Sequence, residues 1–507
     1  MRKPWKAVSA LVALLVSLGV GVGASAGSRA GSGGVLNWGA TILPTTWDPV
    51  TSSAGNDGVA LNLVYAGLTG LDAKGNAVPA LATSWKFLNG GKVIEFTLRK
   101  GVKFTDGAPF NADAVKANVL RGQQDTSLIA PQLNTIKSTT IVNPYVIKFN
   151  LTGQDYGLPL RLAGKTGMMV SPKAIAATPN GLTQPDGAGP FKLTNYVSGS
   201  SATLVKNPGY WDAKDIHLNG VDILQITDPQ TLLAALQSGQ VDVAMIPGAI
   251  ANTAKSDGFT VKVVPSLSVA SIEVNAAMAP FTDPKIVQAI NFALDRKALQ
   301  QTAYAGIGAV DDEPFPQGYI GYSKAVSNYY TYDPAKAKQI LASDPNATNI
   351  SFPITYFPLP PYDAVAQQIQ GELAAVGIKT TLQVLPLSQA SQAVYVDHDV
   401  AFNPNGIVGR ESPLQMLQIQ YASDGLLNPC RCAQADLTKA FAAVAQIPTD
   451  SSSYAAALQN VTELAVKESA NIMLFTEPRI YAYNAAKVKG WPADLIVPRL
   501  EGVTLSS

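Results

Sequence analysis

The sequence predicts an α/β fold with at least two cores in tandem. Three observations lead there. Its 507 residues exceed the roughly 250 to 300 at which a single hydrophobic core stops growing. A phrase of helix, glycine and strand occurs over residues 228–246 and returns over 363–385, the spacing of a doubly wound unit. Ahead of both, strands of alternating character flank a capped helix, which reads as α+β.

The elements follow in chain order. Residues 1–6 are basic, 7–22 are apolar apart from two serines, and Gly23-Ala-Ser-Ala26 supplies a small-residue cleavage signal, so residues 1–26 read as a secretory leader cleaved after Ala26. A membrane anchor is the competing reading, and the apolar run is shorter than the roughly 20 residues a span needs. No cysteine stands near the cleavage point, so no lipid anchor is expected there. Residues 27–34 form a Gly/Ser tether, and 35–43 read as a buried strand. Residues 93–99 and 145–151 alternate as half-buried strands, with a helix over 111–120 opened by Asn111. A hairpin spans 191–196 and 202–206. The helix 228–237 stops near Gly239 before a strand over 241–246. A helix opening at Asp283-Pro284 is expected to run through Leu299 toward Gly306, and the helix 363–376 ends at Gly377 before a strand over 378–385.

Composition excludes several classes. With 47% apolar and 14% charged residues the chain is not disordered, and 37 basic against 36 acidic residues give no electrostatic reason to expect nucleic acid as partner. Arg2, Lys3 and Lys6 leave with the leader, so 37 basic residues become 34 and the net charge becomes −2. No later run of 18 apolar residues exists, so the exported chain is expected to be soluble, in the periplasm or cell-envelope space. Cys430 and Cys432 are the two cysteines; they can close a short disulfide loop, and without a nearby histidine they make a poor zinc site.

Catalytic vocabulary is scarce. The two histidines are His217 and His398, and His398 reads as an exposed loop or edge residue. Gly23-Ala-Ser-Ala-Gly27 straddles the cleavage point and lacks a strand-to-helix context. Gly164-Lys165-Thr166 lacks the preceding glycine of a phosphate loop, which is Pro159 here. No metal motif is present, and neither a catalytic residue nor a cofactor is expected. Aromatic and small polar residues do gather in loops: Thr45, Thr46 and Trp47; Tyr356 and Phe357; Asn403 and Asn405, with Arg410 and Glu411 close behind. That set suits capture of a small solute in a cleft between α/β lobes.

The run Val78-Pro-Ala-Leu-Ala-Thr-Ser-Trp-Lys86, then Gly91-Lys-Val-Ile-Glu-Phe-Thr-Leu-Arg-Lys-Gly-Val-Lys-Phe-Thr-Asp-Gly107 and Asn111-Ala-Asp-Ala-Val115, resembles the signature of the extracytoplasmic solute-binding proteins of family 5, the peptide, oligopeptide and nickel receptors of ABC importers. Gly187–Lys192 with Asn207–Trp211, Phe281–Asp295 and Ala366–Gly377 agree with it in order. The resemblance implies a two-lobed periplasmic-binding-protein-like fold of type II, cluster C. Residues 35–72, 183–268 and 472–507 would form lobe 1, 73–182 an accessory α+β domain on it, and 269–471 lobe 2. The crossings would fall near 268–275, which adds Asn275 to the ligand-binding candidates, and near 470–476.

It also implies a monomeric receptor for a small molecule or short peptide, delivering to membrane permease subunits without a cofactor. An exported hydrolase-type enzyme and a receptor feeding a sensor are the alternatives. Peptide receptors of this family carry an acid that pairs with the ligand's ammonium, then Asp-Pro, and nearby a tryptophan. An ungapped match on Pro413 puts Gly409, Ser412 and Gly406 at those positions. The departure points to a neutral or anionic organic solute held by Arg410, with oligopeptides as runner-up and Glu411 as the replacement acid.

Overall fold

The first core is organised around Val35–Ala40, which is apolar enough to be covered on both faces and is flanked by parallel neighbours on both edges, Gly220–Gln225 and Val243–Met245. This is seen in a computed structural model that describes residues 33–506 apart from 45, 53, 54, 73, 179–181, 183, 359 and 495. The chain divides into two units, residues 1–32 and Gly33–Ser507, and the described residues belong to the second. The leader, the tether up to residue 32 and Thr45 lie outside them.

Antiparallel strands extend this sheet to seven, Ser201–Lys206 and Phe191–Val197 on one side, Arg479–Tyr483 and Thr260–Val264 on the other. One face packs Trp38 and Tyr481 edge-on against Trp491. The other receives Ile480 and Ala482 beside Leu232 and Leu236 of the helix Pro229–Gln237. Asp228 caps that helix by accepting from Thr231 N at 2.7 Å, and Gly239, at φ +76°, turns the chain out of it.

Residues 82–151 build a separate four-stranded antiparallel sheet, Ala82–Leu88, Val93–Leu98, Val146–Leu151 and Ile136–Asn143 in spatial order. Alternation in Val93–Leu98 sends Ile94, Phe96 and Leu98 inward, where Phe96 meets Phe149 at 5.1 Å and the helix Ala112–Gly122 covers them. Asn111 caps this helix by accepting from Ala114 N at 3.0 Å. A buried ion pair of Asp48 with Arg121 fastens the helix to the loop after Val35–Ala40; Arg121 Nη1 donates to Asp48 Oδ1 at 2.8 Å, and Nη2 donates to Oδ2.

In the second lobe Val269–Val274 runs between Phe402–Ile407 and Ile472–Thr476, antiparallel to both. Beside it Ser351–Tyr356 and Lys379–Val384 pair in parallel through the helix Tyr362–Ala375 and Gly377, at φ +91°. Phe281, Phe352 and Phe402 weld these pieces together.

Two expectations are corrected. The helix from Asp283 stops at Ala293, because Leu294 is extended and Asp295 caps a new helix, Arg296–Tyr304, by accepting from Ala298 N at 3.0 Å. The chain's return to lobe 1 comes later than residue 472: Ile472–Thr476 is bonded into the second-lobe sheet, so the return falls at 477–478 and the outward crossing at 265–268.

Replacing Asp48 with alanine leaves the Arg121 guanidinium buried without its partner. We expect a loss of about 3–5 kcal/mol, read by urea denaturation, with Asp48→Ala costing more than the double variant Asp48→Ala/Arg121→Met.

Candidate functional site

Three parallel strands of the first sheet end toward the same place, which is where open α/β sheets bind ligands. Thr41 and Ile42 follow Val35–Ala40, Thr227 follows Gly220–Gln225, and Pro247 follows Val243–Met245. Together with Asn56 they form one wall of a cavity of about 230 Å³. The opposite wall belongs to the second lobe: Tyr304, Phe357, Tyr362, Tyr395, Asn405 and Arg410. Ser268, Glu477, Pro478 and Arg479, from the two crossings and the strand start beyond, close the floor. Aromatic faces with a few convergent polar groups are the usual lining of a small-molecule site.

Several groups are held by partners. Glu477 Oε1 accepts from the hydroxyls of Tyr304 at 3.3 Å and Tyr362 at 3.5 Å, and burial pushes its carboxyl up to about 7. Beneath the second wall lies Glu273, fully buried and likewise pushed up by burial to about 7. It accepts from Asn403 Nδ2 at 2.8 Å, from Tyr395 OH at 3.3 Å and from Asn405 Nδ2 at 3.5 Å, and so sets the positions of Tyr395 and Asn405. Arg410 Nη1 donates to Val408 O at 2.5 Å and Gly409 O at 3.3 Å, facing Gly55 across the cleft, and burial lowers its pKa. Arg479 differs. The residue is 6% exposed, and neither Nη1 nor Nη2 has a hydrogen-bond partner among the described residues.

Of the residues expected from sequence, Phe357, Asn405 and Arg410 come together at the cavity. Trp47 is core, edge-on to Tyr196, and Thr46 Oγ1 accepts from Asp48 N at 3.1 Å in its own loop. Asn275 donates to His398 O at 3.0 Å and accepts from Ala277 N, Tyr356 packs in the second-lobe core, and Asn403 is spent on Glu273. Glu411 points elsewhere. Its carboxylate presses on Gly164, where a Cβ would lie 1.9 Å from Cδ, and it lines a different cavity of about 220 Å³ with Tyr319, Asp494 and Arg499. It therefore does not replace the missing acid in the first cavity.

The three departures from the peptide-receptor pattern have physical counterparts. A Cβ on Gly409 would meet Leu267 Cβ at 2.3 Å, and one on Gly406 would meet Tyr362 OH at 2.3 Å and Glu477 Oε2 at 2.5 Å. Ser412 is fully buried and caps Pro413–Tyr421, accepting from Gln415 N at 3.3 Å. Sequence reasoning missed Tyr304, Tyr362, Tyr395, Glu477 and Arg479. A signal existed for the last two: Glu477-Pro478-Arg479 sets opposite charges around a proline one residue past the apolar run 472–475. Cys430 and Cys432 are joined as a disulfide. Among the described residues no group of three His, Cys, Asp or Glu side chains is placed to hold a metal ion.

Comparison with known proteins gives a consistent picture. The family model described as bacterial extracellular solute-binding proteins, family 5 Middle, matches residues 76–425. The glutathione-binding protein GsiB of Salmonella choleraesuis is 31% identical over 361 residues, covering 69% of each chain. Among solved structures, the periplasmic binding protein DppA of Helicobacter pylori, in complex with peptide STSA, superposes with a TM-score of 0.86 at 21% identity, over 94% of this chain and 99% of that one. AgaA of A. tumefaciens R10, in complex with agropinic acid, gives 0.83 at 23%, over 93% and 99%. At these identities the two structures show the shared two-lobed fold.

The buried acids make stability depend on pH. A carboxyl raised from 4.5 to about 7 holds its proton longer in the folded protein, so its contribution is complete below pH 4.5 and is lost as pH rises toward 7. Each such group gives a slope of up to about 1.4 kcal/mol per pH unit in that window. Glu273→Gln is expected to flatten the decline measured by chemical denaturation between pH 4.5 and 7, and a slope equal to the parent's would contradict the assignment.

Proposed function

Because the chain belongs to the bacterial extracellular solute-binding proteins of family 5, we propose that it is the receptor of an ABC importer, capturing a small organic solute or short peptide in the interlobe cavity and delivering it to the membrane permease. One observation carries this reading: the cavity takes its walls from both lobes and its floor from both crossings, so a solute bound there touches everything that moves when the lobes rotate. Such a solute favours the closed arrangement by its differential affinity for it, and the closed arrangement is what a permease would recognise.

The lining supports binding rather than turnover. Its ionisable groups are two arginines, a carboxyl bonded to tyrosine hydroxyls, and the tyrosines themselves, and among the described lining residues there is no Cys, His or Lys. Among the described residues no helix is long and apolar enough to cross a membrane. Glutathione, a peptide and agropinic acid appear as ligands in the relatives' names, so membership alone does not select a solute. Size does narrow the field. About 230 Å³ is below the roughly 300–1,000 Å³ of sites for drug-sized ligands, which favours a compact solute over a long peptide.

A thermal-shift screen of the purified protein against amino acids, di- to pentapeptides including glutathione, sugars, metal ions and organic acids tests this. A solute at 100 times its Kd adds about 2.7 kcal/mol of stability, seen as a higher Tm. Silence across the whole panel would contradict a receptor, and conversion of a hit to product would replace it with an enzyme.

A further inference from the structure

On the premise that the interlobe cavity is the solute site, we infer that its solute is an anion whose carboxylate, or comparable planar oxyanion, is held by Arg479. The side chain comes from the first residue of Arg479–Tyr483, immediately past the return crossing. Strand alternation places Ile480 and Ala482 against the helical layer and Arg479 on the opposite face, at the end of the strand nearest the cavity. Arg479 is 6% exposed, and Nη1 and Nη2 are buried with no hydrogen-bond acceptor among the described residues; Asp494 and Glu477 act on the group through charge without bonding to either nitrogen.

An unpaired buried guanidinium is costly, and other buried arginines of this protein avoid the condition. Arg121 is paired with Asp48 and Arg161 with Asp155. Arg296 donates to Met473 O at 2.8 Å, Asn291 O at 3.0 Å and Asn291 Oδ1 at 2.7 Å. Arg479 alone of these four is left open, and it is the one that lines the cavity. Two parallel terminal N–H donors match the two oxygens of a carboxylate. Arg410 is the weaker candidate, since its Nη1 is already engaged by two backbone carbonyls.

The surroundings agree. The charged lining is two guanidinium groups against one carboxyl, Glu477, whose charge is softened by two tyrosine hydroxyls and by burial that raises it to about 7. An anion entering beside Glu477 thus meets a field dominated by the arginines.

Calorimetric titration of the purified protein with succinate, tri-alanine and glutathione, and with succinamide and tri-alanine amide, tests the assignment. A carboxylate probe should bind and its amide counterpart should bind at least about tenfold more weakly; Arg479→Met should weaken the carboxylate probe about 10- to 100-fold, the range for a lost charge-assisted hydrogen bond. Ligand-free Arg479→Met should melt no lower than the parent, because the buried charge is relieved. Arg479→Lys, which keeps the charge and loses the fork, should fall between, and it decides the matter if the methionine variant does not fold. Retention of affinity within about threefold in Arg479→Met, or equal binding of acid and amide, overturns the assignment. So does a screen in which only sugars or cations bind, and these three outcomes leave the receptor reading intact. No binding by any solute of either panel overturns both.

Discussion

The chain passes between the two sheets at 265–268 and 477–478, and these crossings are bonded to each other. Glu477 N donates to Ser268 O at 2.8 Å, and Ser266 Oγ donates to Glu477 O at 2.6 Å. Ser266 Oγ also accepts from Ser268 N at 2.9 Å, which holds the outward crossing in a tight local turn. Two short, mutually bonded stretches of chain joining two sheets are the arrangement that a hinge between lobes requires. The same bonds decide what stands at the base of the cleft. Once the backbone of Glu477 is committed to the other crossing, its side chain and that of Arg479, two residues on, are delivered to the cavity floor.

That placement explains an imbalance in how charge is buried. Only 14% of the residues are charged, and where charge goes inside it is mostly compensated: Asp48 with Arg121, Asp155 with Arg161, Arg296 among carbonyls. At the cleft the compensation is incomplete. Glu273 and Glu477 are satisfied by amides and hydroxyls instead of cations; burial raises their pKa values, and these hydrogen bonds offset only part of the rise. Buried carboxyls without a cation also occur away from the cleft, as at Glu313, which burial pushes up to about 8; at the cleft the open group is the Arg479 guanidinium, and functional sites are one place where such local inconsistency is expected.

The framework was legible because its signals are local. Asn111, Asp228 and Asp283 announce helix starts, Gly239 and Gly377 announce stops, and alternation at 93–98 announces a half-buried strand; each depends on residues within a turn or two. The break at Leu294 was hidden by continuous apolar periodicity across it, which made two helices look like one. The late return crossing was hidden for a different reason. Residues 472–475 would be apolar in any sheet, and only pairing with Val269–Val274, some 200 residues away, settles which sheet owns them. Of the site, Phe357, Asn405 and Arg410 were visible as aromatic or polar residues in loops. Tyr304 at a helix end, Tyr362 at a helix start and Arg479 at a strand start carry no such mark, and they become a site when three distant segments converge.

The glycines at 406 and 409 connect this geometry to selectivity. In peptide receptors of the family a tryptophan and an acid are expected at the matching places, yet here a Cβ at either position would collide within 2.3 Å of an existing atom. The loss of those side chains is therefore not vacant space. Tyr362 and Glu477 occupy the volume at 406, and Leu267 occupies it at 409, so the two small residues and the bulky ones that replace them form one packed arrangement. Restoring an ammonium-binding acid at 409 would require moving the outward crossing itself. With a net charge of +1 for the whole chain, or −2 without residues 1–26, attraction for the anion we infer cannot come from a long-range field and must arise at the cavity, from groups whose positions the crossings dictate. Selectivity and hinge geometry are thus set by the same few residues, and a change in one is expected to disturb the other.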